Sequence, residues 1–257
     1  MAKQSSDAGK GRGSNVVKKS AKGRQKNFYA MLGLVAAVLG IFIIYQVTKP
    51  KATPESTQVD PKMLPQAEGY LLGKADAPVQ VMEFADFECP ACGQFYVLTE
   101  PDVRTRLIDT GEISYRFFDY PLPGHRNTWP ASHAAACANE QGKFWEMHDR
   151  IFMGQDQWNG EATSRPKGVF KGYAEAIGLD VAKWEQCFDD QKYLRNIQAN
   201  RAEAERRMVS STPTFIIGSR MVPGSISFDK FKAYVDSAKA EAPAPAAPAS
   251  TDSAAKK

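Results

Sequence analysis

Cysteine and histidine are scarce in this sequence, with four Cys and three His in 257 residues. So few cysteines exclude a disulfide-dense small scaffold. Glycine and proline, 19 and 16 residues, are too few and too scattered for a collagen-like chain. Charge of one sign is also missing from most of the chain. Eight of the 33 basic residues (Lys3, Lys10, Arg12, Lys18, Lys19, Lys22, Arg24, Lys26) lie within residues 1–47, against Asp7 alone, leaving 25 basic and 28 acidic residues over 48–257. The sequence pI of 8.8 therefore belongs to the N-terminal tail. A basic nucleic-acid-binding body is excluded. With 43% hydrophobic residues, wholly disordered chains are excluded too, and no internal repeat is evident.

One long apolar run is present. From Asn27 to Thr48, 22 consecutive residues carry no charge, enough at about 1.5 Å per residue to cross a hydrocarbon core of roughly 30 Å. The alternatives are a cleaved signal peptide and a buried core helix. The run is longer than a usual signal h-region and lacks a small-x-small site, and a core helix behind a basic tail has nothing to pack on. The eight preceding cations place the N-terminus in the cytoplasm and the rest outside, as in a single-pass signal anchor. Residues 1–26 are then a basic cytoplasmic tail and 27–48 the transmembrane helix. Residues 49–65 form a Pro-rich flexible linker, and 66–240 are one folded domain. The Ala/Pro-rich stretch 241–257 lacks large apolar residues and is expected to be disordered.

Within the domain, Val79–Phe84 reads as a buried strand, Gly93–Ile108 as helix, and Glu112–Phe118 as a second strand, a parallel βαβ order. A helical block follows over about 127–209. Thr214–Ile217 then reads as strand, Met221-Val222-Pro223 as an edge strand, and Phe228–Ala240 as a final helix. The fold class is α/β with an inserted helical domain. Phe144, Trp145 and Phe152 mark an apolar helix face.

Cys89-Pro90-Ala91-Cys92 stands where the first strand gives way to a helix. A lone C-x-x-C is half a zinc site or a redox pair. Zinc needs two more ligands, and Cys137 and Cys187 stand 50 residues apart, with His133 one helical turn before Cys137. Redox chemistry has a local basis. Cys89 falls at the N-cap and Pro90 at the first helical position, where a missing N–H is harmless. Unpaired N–H groups and the helix dipole favour a thiolate at Cys89, while Cys92 sits one turn inside. Asp86 and Glu88 read as loop acids on the rim of the site. His125, His133 and His148 have no metal-ligand spacing and read as surface or packing residues.

Three stretches in order, Val81–Phe95 (VMEFADFECPACGQF), Gln141–Phe152 (QGKFWEMHDRIF) and Ser211–Gly218 (STPTFIIG), resemble the DsbA-like branch of the thioredoxin superfamily. The resemblance spans nearly all of 70–240. It implies a thioredoxin-like fold and a redox-active pair with Cys89 as nucleophile and Cys92 as resolving cysteine. It also implies a cis bond at Thr212-Pro213, beside which substrate backbone pairs, and a buried acid, Glu83, that shuttles a proton to the resolving cysteine. No cofactor and no metal are implied. The implied partners are cysteine-containing secreted or surface proteins and a membrane quinone-linked, DsbB-like or analogous, redox partner. In an oxidising compartment, Cys137 and Cys187 form a structural disulfide, or else two separate buried thiols. The implied function is a membrane-anchored protein disulfide oxidase acting extracytoplasmically. A reductase or isomerase, and a non-catalytic peptide-binding module, are the alternatives. Ala91 departs from the His that supports the thiolate in strong oxidants.

Overall fold

The computed structural model describes residues 29–43 and 64–241. The chain divides into two compact units, Met1–Ser56 and Thr57–Lys257. In the first, residues 29–43 form helix α1, whose apolar side chains stand exposed, Met31 at 69% and Ile41 at 68%. Among the described residues no helix is long and apolar enough to cross a membrane. The basic tail, both ends of the apolar run, the linker through residue 63 and the chain end from 242 lie outside the described residues.

The second unit is built on a five-stranded sheet in the order β1-β3-β2-β4-β5. Strand β1 is Tyr70–Leu72, β2 Val79–Ala85, β3 Ile113–Asp119, β4 Thr214–Ile217 and β5 Arg220–Pro223. β2 and β3 run parallel, while β1 on β3, β4 on β2 and β5 on β4 are antiparallel. The pleat sends alternate residues to opposite faces. Val79, Val81, Ile113, Tyr115, Phe215 and Ile217 share one face with Phe95, Phe231 and Val235. Phe84 and Phe118 pack on the other with Ala204 and Val209. The edge strand β1 is unheralded in the sequence, since three residues are too few to show alternation. It enters at Gly69, where φ is +61° and an added Cβ would come within 2.8 Å of the Phe117 carbonyl.

Helix α2 covers Pro90–Leu98, and α10, Phe228–Glu241, packs on the same side of the sheet. The helix expected to run unbroken to Ile108 is interrupted. Thr99 leaves the helical region at φ −125°, a short α3 (Glu100–Val103) carries Pro101, and a π-helical turn follows over Arg104–Ile108. Pro101 lacks the N–H that would continue the ladder, and its ring crowds the preceding turn. Between β3 and β4 lie six helices: α4 (Thr128–Asn139), α5 (Phe144–Met153), α6 (Gln155–Trp158), α7 (Lys167–Ala176), α8 (Val181–Asp189) and α9 (Leu194–Arg206). The alanines of α4 are almost wholly buried, because small side chains let α5, α7 and α8 approach closely. Trp184 fills the α4–α8 contact and donates its indole N–H to the Ala134 carbonyl at 3.0 Å. Cys137 and Cys187 are bonded there, with Cα atoms 5.8 Å apart. Phe144 and Phe152 face the core, as does Met147, so the insert and the sheet share one apolar cluster with Phe87 and Phe117.

Candidate active site

The site forms where β2 ends. Asp86 turns the chain twice over: its carbonyl accepts the Cys89 amide at 3.0 Å, and its Oδ1 accepts the Glu88 amide at 2.7 Å. Its Oδ2 takes the Leu122 amide at 2.7 Å and His125 Nδ1 at 2.8 Å. Asp86 is therefore not a rim acid. It is 1% exposed, because these donors replace the water that a carboxylate otherwise needs. Glu88 is half-buried, and its two oxygens accept the amides of Asn127 at 2.6 Å and Gly160 at 2.5 Å. Gln155 completes this polar seam from the insert, donating Nε2 to the carbonyls of Phe87 (2.7 Å) and Cys89 (3.0 Å). Asp86, Glu88 and Gln155 thus join the cysteine loop to its neighbours. The sequence placed Asp86 and Glu88 beside the site but not in this seam, and gave no sign of Gln155, since the partners that join the loop to its neighbours lie 30 or more residues away.

Cys89 occupies the N-cap of α2 with φ −72° and ψ 123°, and Pro90 follows at the first helical position. Both Cys89 and Cys92 are free thiols and buried, Cys92 at 1% exposure. The Thr212–Pro213 bond is cis and sets its loop against the pair, with Cys89 Sγ donating to the Thr212 carbonyl at 3.5 Å. The two sulfurs titrate in opposite directions. A hydrogen bond from the Cys92 thiol, more than any other contact, holds Cys89 down to about 6 against the opposing effect of burial. The Thr212 hydroxyl and the amides of Cys92 and Ala91 at the helix start add to it. Burial first, then the bond it gives to Cys89 and the charges of Cys89 and Glu83, push Cys92 far above an ordinary thiol.

Glu83 shares a sheet face with Val79 and Val81 and is 2% exposed. Tyr115, on the adjacent strand, donates its hydroxyl to Glu83 Oε2 at 2.6 Å. Burial above all, then the Glu100 carboxylate, raises Glu83 to about 8, while the Tyr115 bond and Arg104 pull it down. The acid is accordingly protonated near neutral pH and electrostatically coupled to Cys92. Glu100, His148 and Asp149 offer ligand atoms within 4.8 Å of one another. The Arg104 guanidinium already occupies their midst, bonded to Glu100 at 2.7 Å and forked onto Asp149 at 3.0 and 2.7 Å, so this cluster is a filled cation site.

Comparison with known proteins bears on the family and the fold. The family model described as Thioredoxin matches residues 66–237. The Na(+)/H(+) antiporter NhaA 3 of Salinispora tropica is 37% identical over 67% of this chain and 25% of its own length. This chain thus spans about a quarter of the antiporter it matches. A probable disulfide bond formation protein D of Bacillus anthracis is 22% identical over 83% of this chain and 97% of its own. Among solved structures, alpha-DsbA1 of Wolbachia pipientis superposes with a TM-score of 0.61 at 23% identity, covering 70% of this chain and 96% of that one. That likeness speaks to the fold.

Proposed function

This chain belongs to the thioredoxin family, and from that premise we propose that it is a thiol–disulfide oxidoreductase of the DsbA-like branch. It passes the Cys89–Cys92 disulfide to secreted or surface proteins while anchored in a membrane by residues 27–48. The observation that carries the reading is the geometry of the pair: Cys89 at the N-cap of α2 and buried Cys92 one turn inside, set against the cis Thr212–Pro213 loop with Cys89 Sγ 3.5 Å from the Thr212 carbonyl.

In the proposed cycle a substrate thiolate attacks the Cys89 sulfur of the oxidised pair. The Cys89–Cys92 bond breaks, and the Cys92 sulfur leaves with the electron pair and takes a proton from Glu83. A second substrate thiolate then attacks the substrate sulfur of the mixed disulfide. Cys89 departs as a thiolate, which its low titration point makes a good leaving group. The substrate is oxidised by two electrons and the pair reduced by two. A membrane quinone-linked partner accepts those electrons in turn.

The low Cys89 value favours donation of the disulfide over reduction, because a stabilised thiolate stabilises the reduced pair. The charge-free run around α1, with its exposed apolar side chains and eight preceding cations, supports the anchor and an extracytoplasmic domain. The test uses the full-length chain in detergent, oxidised beforehand and mixed with a reduced, unfolded test protein. Disulfides are expected to appear in that protein far faster than with oxidised glutathione alone, and Cys89→Ser is expected to abolish the gain. Equal rates for wild type and Cys89→Ser would overturn the function. Release of the chain from membranes by alkaline wash would overturn the anchor.

A further inference from the structure

The loop after β3 brings to the pocket beside Pro90 a histidine that the exchange cycle does not use. His125 Nδ1 lies 2.8 Å from Asp86 Oδ2, and a carboxylate only accepts, so Nδ1 carries the proton. The other ring nitrogen bonds no protein atom among the described residues, and the side chain is 29% exposed. The same Asp86 accepts the Cys89 amide on its carbonyl. One buried residue thus fixes both the imidazole and the start of α2. His125 and Pro90, the residue next to Cys89, line one open pocket of about 320 Å³ together with Glu88, Arg126, Gln155 and Glu161.

The charges around the ring favour its protonated form. Asp86 and Glu88 face it from the loop after β2, Cys89 from the helix start, Arg126 from its own loop, and Glu161 from beyond α6. Arg126 is turned to the Gly160 carbonyl, at 3.3 Å. The Asp86 hydrogen bond, against burial, and then the charges of Asp86, Glu88 and Cys89 raise His125 above its ordinary value. Between the cysteines themselves stand Pro90 and Ala91, neither of which carries charge.

We infer that His125, held by Asp86, is the cation that supports the Cys89 thiolate from outside the C-x-x-C loop and so sets how strongly the pair oxidises. The inference rests on the oxidoreductase reading above. An imidazolium beside the pocket lowers the energy of the thiolate and hence of the reduced pair, which makes the disulfide a stronger oxidant. His125 acts through Cys89 and touches no reacting atom, so it is a positioning residue.

The experiment compares the full-length wild type with His125→Gln and His125→Lys in detergent. It follows the Cys89 thiolate by its ultraviolet absorbance and the pair's equilibrium against glutathione. In His125→Gln the thiolate titration is expected to rise by about 0.5–1 pH unit. At about pH 7 the equilibrium should move roughly threefold to tenfold toward the disulfide, one pH unit of titration being at most tenfold. His125→Lys should restore most of both. At about pH 9 wild type and His125→Gln should converge, because the imidazole is then neutral. No movement at pH 7, or the same movement at both pH values, would overturn the inference.

A variant-free measurement stands beside it. The His125 ring should titrate higher in the reduced wild type than in the oxidised one, since the thiolate and the imidazolium stabilise each other. Equal values in the two redox states would also overturn the inference. A wild type that oxidises no test protein would sink the function instead, so the two failures are distinguishable.

Discussion

Replacing Glu83 by Gln should make this protein more stable at neutral pH and a poorer catalyst. Folding lifts Glu83 from its ordinary 4.5 to about 8, chiefly by burying it. The folded state therefore holds a proton that the unfolded chain has released throughout that window. Stability from this group is complete below pH 4.5 and drains away as pH rises toward 8. At 1.36 kcal/mol per unit, keeping the acid protonated at pH 7 costs about 3 kcal/mol. Gln is neutral at every pH and keeps one oxygen for the Tyr115 hydroxyl. Its extra N–H must find a partner, which takes back about 1 kcal/mol. The expected net gain is about 2 kcal/mol at pH 7, or roughly 4–8 °C in Tm for a domain of this size. At pH 4.5 the unfolded acid is itself half protonated, so almost none of that cost remains, and the roughly 1 kcal/mol spent on the Gln N–H leaves the variant slightly the less stable of the two. Urea unfolding of the reduced chain at several pH values between 4.5 and 8 measures this directly. A gap between the two proteins that is flat with pH would refute the reasoning. So would a variant less stable than wild type at pH 7. In the proposed cycle the same substitution removes the proton donor for Cys92, so exchange should slow while stability rises.

Two further outcomes follow from the site and the insert. Alkylation of Cys89 by iodoacetamide should reach half its maximal rate at about pH 6 and be flat above about pH 7.5, with Cys92 unmodified in the folded protein. A rate still climbing at pH 8.5, as for an ordinary thiol, would contradict the thiolate assignment. Replacing Cys137 and Cys187 together by Ala opens a loop of 50 residues and should lower stability by about 4 kcal/mol on the chain-entropy account. The Cys89–Cys92 equilibrium with glutathione should not move, and an unchanged unfolding midpoint would refute the stability claim.

The parts of the fold legible in the sequence were those in which many residues repeat one message. Val79–Ala85 announces a buried strand through its apolar run, and the helices of the insert announce themselves by periodicity. Cys89 and Cys92 were legible because strand end, proline and helix start stand next to one another. Asp86 was misread because a loop carboxylate ordinarily belongs in water. Its burial depends on Leu122 and His125, which only the folded chain brings near. Gln155 gave no signal for the same reason: it lies on a four-residue helix, and its two acceptors are 66 and 68 residues away. His125, in a loop after Gly124, reads as surface until Asp86 is seen to hold it. The break at Thr99 was within reach, since Pro101 stood in view inside the expected helix.

The bond between Cys137 and Cys187 has a consequence for how this protein comes into being. If the protein donates disulfides as proposed above, each new copy begins as a client of that chemistry, needing one oxidation in its insert before it resembles its finished neighbours. Copies already matured, or whatever serves them, would thus tutor the next generation. A cell emptied of the activity would regain it with a lag and then an acceleration, as in any process whose product prepares its own recruits.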